Sequence, residues 1–521
     1  MHDYIIIGAG SAGSVLAGRL TERGNHTVLL LEAGGPDKRQ EIHIPAAFGK
    51  LFRSEVDWAY ETAPQAALGG RRLYWPRGKM LGGSSSMNAM IYQRGHRQCY
   101  DDWAAQGNHG WDYDDVLPFF KRLEHFEPGA NAYHGSGGPQ NVANLRGPQP
   151  LSRAFVAACA EAGLPLNDDH NGATQEGFGL FRVTQKQGKR HSAAAAYLKP
   201  ALGRPNLEVV THAHATRLLF DGTRCTGVAY QRDGQALTAH ARREVIVCGG
   251  TVNSPQLLLV SGIGDGAQLQ ALGVPVVQHL PGVGQNVQDH LAILVGFQCN
   301  APITLLNAEK PWQIAQYLLF RRGMLTSNVG EAGGFTRILP DAPIPDLQFH
   351  FGPTFFVNHG FDNPKAHGFS IGPTLVQPKS RGMITLTSPD PLAAPEIQPC
   401  YLTHPDDVQI LVEGIKLARR IAEAPALARF REDEFAPGAA FQSDAEIADA
   451  VRREVHSLYH PVGSCKMGHD PLAVVDDRLA VHGLTGLRVV DASIMPRIVN
   501  ANTNVPTMMI AEKAAALILG G

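Results

Sequence analysis

A chain of 521 residues with 44% apolar and 18% charged side chains has the balance of a globular protein with room for two domains, not of a disordered one. Its formal net charge of −2 gives no purchase to nucleic acid, so no nucleic-acid partner is expected. Seven dispersed cysteines, none in a CxxC pair, exclude a thiolate zinc cluster and point to a reducing compartment without disulfides.

In chain order, Tyr4 to Ile7 reads as a buried strand, Ser11 to about Arg23 as a helix, and Thr27 to Leu31 as a second buried strand closed by Glu32 and Ala33. With a strand beginning at Tyr4, no signal peptide is expected. Gly8-x-Gly10-Ser11-Ala12-Gly13 joins the first strand to the helix. Glycines there let the backbone turn sharply, approach a pyrophosphate and pack helix on strand, while the helix N-terminus faces the phosphates. Glu32 stands where a carboxylate accepts hydrogen bonds from a ribose diol. The pattern predicts dinucleotide binding and by itself does not separate NAD from FAD.

A second Gly/Ser-rich turn lies within "RGKMLGGSSSMNAMIYQRG", Arg77 to Gly95. Met80, Leu81, Met87, Met90 and Ile91 make it too apolar for an exposed linker, and its buried backbone needs polar partners that a cofactor would supply. "NLEVVTHA" reads as a strand ending near Val210. Glu244 to Gly264 repeats strand, Gly-Gly turn and helix, followed by "PGVGQNVQDH", Pro281 to His290. "PDLQFHFGP" and "GMITLTSPDP" alternate as in an antiparallel sheet. "SNVGEAGGF" offers Glu331 as a polar substrate contact, or equally as a buried hydrogen-bond partner. The "REDE" run, Arg431 to Glu434, reads as a solvated loop. "GLRVVDASIMP" gives a strand finishing at Asp491, and the apolar C-terminal segment reads as a core-packed helix with Pro506 in its first turn. No apolar run reaches the roughly 18 residues of a membrane span.

"HPVGSCKMG", His460 to Gly468, holds four chemistries in nine residues. A metal site built with His456 lacks a third ligand, and Pro461 disfavours the helix that would put both imidazoles on one face, so no metal is expected. Cys465 has no activating base in sequence reach and reads as a small buried side chain. Lys466 reads as an edge residue and Met467 as packing. His460 remains as a general base, with an ordinary pKa near 6.5, although one histidine among 22 is not selected by composition.

Together the N-terminal fingerprint, the Arg77–Asn88 block, the Gly250–Gly264 block, His460–Gly468 and Asn502–Thr507 resemble the glucose–methanol–choline oxidoreductases from first strand to last helix. Bacterial choline-dehydrogenase-like and L-sorbose-dehydrogenase-like members are the nearest in pattern. The resemblance implies FAD, with Gly8, Gly10, Ser11, Ala12, Gly13, Glu32 and Ala33 at its ADP half and Val210 at the adenine. It implies Leu81, Gly82, Ser85, Asn88, Ala89 and Met90 on the flavin side. Asp491 and Ala492 would lie near the ribityl chain, with Asn502 and Thr507 under the ring. Some relatives carry a flavin-bonded histidine where this chain has Met87, so non-covalent FAD is expected.

By the same resemblance His460 lies over the flavin, and Asn504 takes the partner position, orienting the substrate oxygen. The implied reaction is oxidation of a primary alcohol, with proton abstraction by His460 and hydride transfer to flavin N5. Electrons then pass to a quinone-type acceptor. Alternatives are an oxidase that reduces O2 to peroxide and a flavin-containing hydroxynitrile lyase. The expected fold is α/β plus α+β. A Rossmann-like FAD domain takes residues 1–140, 195–300 and 455–521, and a discontinuous substrate domain on an antiparallel sheet with helices takes 141–194 and 301–454. The expected location is cytoplasmic, with room for peripheral membrane contact.

Overall fold

The computed structural model of the protein describes residues 1–362 and 364–520. β1 (His2–Ile7), helix α1 (Ser11–Leu20) and β2 (Val28–Leu31) form a βαβ unit. All of β2 and the last four residues of β1 are buried, as strands covered on both faces require. β3 (Leu207–Val210) pairs with β2, and β4 (Gln235–Val247) pairs with β1, all in parallel. Helix α2 (Gly250–Val260) follows β4, and β5 (Leu487–Val489) extends the sheet beyond it, giving the order β3-β2-β1-β4-β5. The last helix described, α3 (Asn504–Leu519), packs beside α1.

β4 serves two layers. Its first half closes an antiparallel hairpin with Arg224–Arg232, while its final residues, Val245 to Val247, sit between β1 and β5. Burial follows: Gln235 to Thr238 are exposed and Val245 to Val247 are buried.

The second sheet is antiparallel. Its order runs Arg431–Ala436, Val295–Cys299, Gly368–Leu375, Leu347–Gly352, Ala332–Thr336, Gly177–Leu180. Strand alternation divides its labour. Leu347, Phe349 and Phe351 enter the core shared with helices Pro150–Glu161 and Pro405–Glu423, where Phe351 stacks on Phe155 at 4.7 Å. His350 and Gly352, on the opposite face, border a large cavity between this sheet and the first one.

Two expectations need correction. Strands Leu291–Ala292 and Val295–Cys299, expected with the cofactor unit, pair in the antiparallel sheet, as does His456–Ser457. The run "LAILVGF" is uniformly apolar, so its periodicity does not tell which sheet buries it. Likewise "REDE" is not a loop but part of the edge strand Arg431–Ala436, with Glu434 receiving the Arg419 guanidinium at 2.8 and 2.9 Å. Charges on an edge strand also block pairing with other chains.

Candidate active site

Ile7, Leu31 and Val247, the last residues of β1, β2 and β4, open onto the cavity, which places it at the carboxyl ends of the parallel strands. Three helix N-termini converge there: Gly10 to Ala12 of α1, Gly249 to Val252 of α2, and Thr503 with Asn504 of α3. Neither α1 nor α3 has a side-chain cap, so their first N–H groups are left for whatever fills the cavity. The Gly250 N–H of α2 is taken by Asp491 at 2.8 Å, and the open ends of α1 and α3 make an anion receptor suited to a pyrophosphate.

The glycines are required by contact. A Cβ on Gly13 would stand 1.9 Å from the Gly8 carbonyl oxygen, and one on Gly83 would stand 2.8 Å from Gly10 Cα. The second Gly/Ser turn thus docks on the first, secured by the Gly82 N–H donating to the Ala9 carbonyl at 2.7 Å. Glu32 accepts from the Ala9 and Gly34 N–H groups at 2.8 Å each, and burial pushes its carboxyl up to about 7. These features fit the dinucleotide half of FAD.

Of the residues selected from sequence, Gly8, Gly10, Ser11, Ala12, Glu32, Ala33, Asn88, Ala89, Met90, His460, Asp491, Ala492, Asn502, Asn504 and Thr507 border the one cavity. Gly13, Leu81, Gly82, Ser85 and Val210 do not; they brace it from behind. Val210 ends β3 and its carbonyl accepts from Glu32 N–H, leaving Ala213 to Ala215 as the wall there.

Glu331 is likewise not on the cavity. Its carboxylate turns to helix Pro150–Glu161, accepting from the Ser152 hydroxyl at 2.6 Å and the Gln149 N–H at 2.7 Å. The hydrogen-bonding role, not the substrate role, describes its position.

At the far end stands His460, where three contacts define its state. Asn502 Nδ2 donates to His460 Nε2 at 3.3 Å, and Gln348 Nε2 donates to Asn502 Oδ1 at 3.2 Å, an arrangement consistent with an unprotonated Nε2. Nε2 therefore carries the lone pair and Nδ1 the proton, which goes to His290 Nδ1 at 3.0 Å. Asp289 Oδ1 accepts from the His460 backbone N–H at 2.8 Å, while Asp289 Oδ2 holds Ser457 and Tyr401 at 2.5 Å each. Burial, then the neighbouring His290, His350 and Arg77, hold the His460 imidazole well below its ordinary value. The result is a neutral imidazole whose acceptor nitrogen, Nε2, meets the Asn502 amide at 3.3 Å.

Asn504 does not touch His460. Its Oδ1 accepts from Ser11 Oγ at 2.7 Å, and its Nδ2 makes only a 3.8 Å contact to Met508 Sδ, leaving that donor available to the cavity. Cys465 is buried, with burial and then Asp491 pushing its thiol well up, and Lys466 pairs with Asp470 at 2.7 Å. His456 lies in a strand, so the helical pairing with His460 does not arise.

Sequence reasoning missed His290, Asp289, His350 and Arg77. The first two end the quoted block "PGVGQNVQDH", whose aspartate–histidine pair was its available signal. It also missed the wall of Phe48, Phe52, Phe356 and Tyr459, linked ring to ring at 5.6 to 6.3 Å.

Family models described as GMC oxidoreductase match residues 2–292 and 378–511. Mouse mitochondrial choline dehydrogenase is 46% identical, covering 100% of this chain and 89% of its own. An alcohol dehydrogenase [acceptor] of Pseudomonas putida is 45% identical over 100% of this chain and 96% of its own. The solved pyridoxine 4-oxidase from "Mesorbium loti" superposes with a TM-score of 0.92 at 33% identity, covering 100% and 99% of the two chains. The chain thus belongs to the GMC oxidoreductase family, as an FAD-dependent enzyme that oxidises alcohols.

Proposed function

We propose that the protein is a dehydrogenase of an uncharged primary alcohol that passes electrons to a quinone-type acceptor. The observation that carries the reading is His460, a neutral base bordering the cavity whose unprotonated Nε2 is met only by the Asn502 amide at 3.3 Å, a contact that a substrate hydroxyl would replace. His460 Nε2 takes the hydroxyl proton, and Asn504 Nδ2 donates to the same oxygen. Bound non-covalently, FAD supplies the acceptor for the carbinol hydride at N5. His290 and Asp289 hold the base in its tautomer and place. Aromatic and aliphatic side chains keep water away.

An uncharged substrate follows from the lining. Among the described residues the carboxylates that border the cavity are Glu32 and Asp491, both engaged by backbone N–H groups at the nucleotide end, so neither is left to pair with a cationic substrate; Arg77, beside Tyr459, has Asp289 and Asp57 as its counter-charges. The choline named for the mouse relative carries a quaternary ammonium that aromatic rings attract but that finds no free carboxylate on this lining.

Anaerobic mixing of the holoenzyme with benzyl alcohol, aliphatic alcohols and choline tests this. Bleaching of the flavin absorbance by the uncharged alcohols, faster than by choline, is expected. If choline is the faster reductant the substrate reading fails, and if no alcohol bleaches while a cyanohydrin is cleaved the redox reading fails. Peroxide release in air at the rate of turnover would make the protein an oxidase.

A further inference from the structure

The helix Pro311–Phe320, "PWQIAQYLLF", is built inside out. At about 100° per residue, Ile314, Ala315, Leu318, Leu319 and Trp312 share one arc of the helix, and all are exposed. Leu319 and Phe320 are 73% and 66% exposed. The side facing the protein is polar instead: Gln313 Oε1 accepts from Met324 N–H at 3.2 Å, and buried Tyr317 donates to the His43 carbonyl at 3.4 Å, while Gln316 is exposed. A helix that anchors itself through an amide and a phenol and leaves its leucines outward has its apolar face available to something else.

Charge says what. Lys310, Arg321 and Arg322 flank the helix, and the nearest acid, Glu309, is already paired with Lys50 at 2.5 Å. Apolar side chains, an indole, a phenyl ring and basic ends with no competing carboxylate suit the interface of an anionic bilayer, where the rings sit at headgroup depth. The position matters too. Lys50 and His43 belong to the segment that carries Phe48, which borders the cavity. Among the described residues no helix is long and apolar enough to cross a membrane, so the contact is with one leaflet.

We propose that Pro311–Phe320 docks the enzyme on an anionic lipid surface beside the mouth of its cavity, where an acceptor dissolved in the bilayer can reach it. The contact itself does not depend on the identity of the alcohol or of the acceptor.

Co-sedimentation of the FAD-loaded protein with vesicles of phosphatidylcholine and phosphatidylglycerol in equal parts tests it, with phosphatidylcholine alone as the comparison. Three basic residues near an anionic surface are expected to favour the mixed vesicles on the order of a hundredfold at low salt. The double variant L318E/L319E should lose binding at least about tenfold while keeping dye-linked turnover, since neither side chain borders the cavity. Equal binding of wild type and double variant, or none by either, would overturn the proposal. So would a concentration-dependent dimer of the wild type that the variant abolishes, because the face would then join two copies of this chain.

Discussion

The Nδ1 atoms of His290 and His460 face each other at 3.0 Å, with ring planes at 88°. One proton serves the two nitrogens, and a second there would set two imidazolium ions in contact. Burial holds His290 down to about 3, so it remains an acceptor and keeps His460 in the tautomer whose Nε2 is unprotonated. A base depressed below 6.5 is unprotonated throughout the neutral range and loses function only as the pH falls through that lowered value. kcat/KM for a neutral alcohol should therefore be flat near neutrality, with its acid limb below pH 6.5. In the His290→Phe variant one depressing neighbour is gone, so the limb moves to higher pH. A limb unmoved by that change would deny the pairing its role.

Replacement of His460 by alanine should lower turnover by about 10²–10⁴, the usual worth of a positioned base. The flavin spectrum of the purified variant should be retained, because His460 touches none of the three helix N-termini. Near-normal turnover would remove His460 as the base.

Asn502 and Asn504 are separable. Asn502 donates to His460, so Asn502→Ala should alter the pH profile. Asn504 leaves a donor to the cavity, so Asn504→Ala should lower kcat for an alcohol without moving the acid limb. Steady-state profiles of the two variants across pH distinguish them; identical behaviour would mean that the asparagines act as one unit.

Met87 borders the cavity and offers no nucleophilic nitrogen. Acid precipitation of the holoenzyme should release all flavin into the supernatant. Yellow colour kept in the washed pellet would show a covalent bond formed elsewhere.

Away from the cavity, buried Arg94, Glu124 and His134 and half-buried Asp169 form a chain of charges, with Arg94–Glu124 at 2.7 Å, Glu124–His134 at 3.0 Å and His134–Asp169 at 2.9 Å. Glu124→Ala leaves Arg94 without a counter-ion and should cost about 3–5 kcal/mol in denaturant unfolding. Burial lowers the His134 imidazole, but hydrogen bonds to Asp169 and Glu124 outweigh it and leave the value raised. A raised folded value means that the His134 contribution is complete below pH 6.5 and fades as the pH climbs through that raised value. The Glu124→Ala penalty should accordingly shrink on the alkaline side.

How far the sequence is legible depends on whether neighbours in space are also neighbours in the chain. Gly8 to Gly13 and Glu32 are readable because strand, turn, helix and acid follow one another within about thirty residues, each with its own local signal. Glu331 is not, since the choice between cavity and helix layer rests on a loop before the strand Ala332–Thr336. His290 escapes for a related reason: its partner lies 170 residues away, and the neighbouring Asp289, its one local signal, does not say which histidine it supports. The aromatic wall draws Phe48, Phe356 and Tyr459 from three distant segments, none periodic.

Ser11 at the start of α1 and Asn504 at the start of α3 are bonded across 493 residues, and Arg19 reaches Glu512 across the same interval. During synthesis the fingerprint emerges early, yet its companion helix cannot dock until the ribosome has released the segment beyond Asn504. Until then the nascent chain offers half a receptor, with two helix ends instead of three and no Asn504. A chain ending before α3 is therefore expected to lack Asn504 and one of the helix ends that border the cavity.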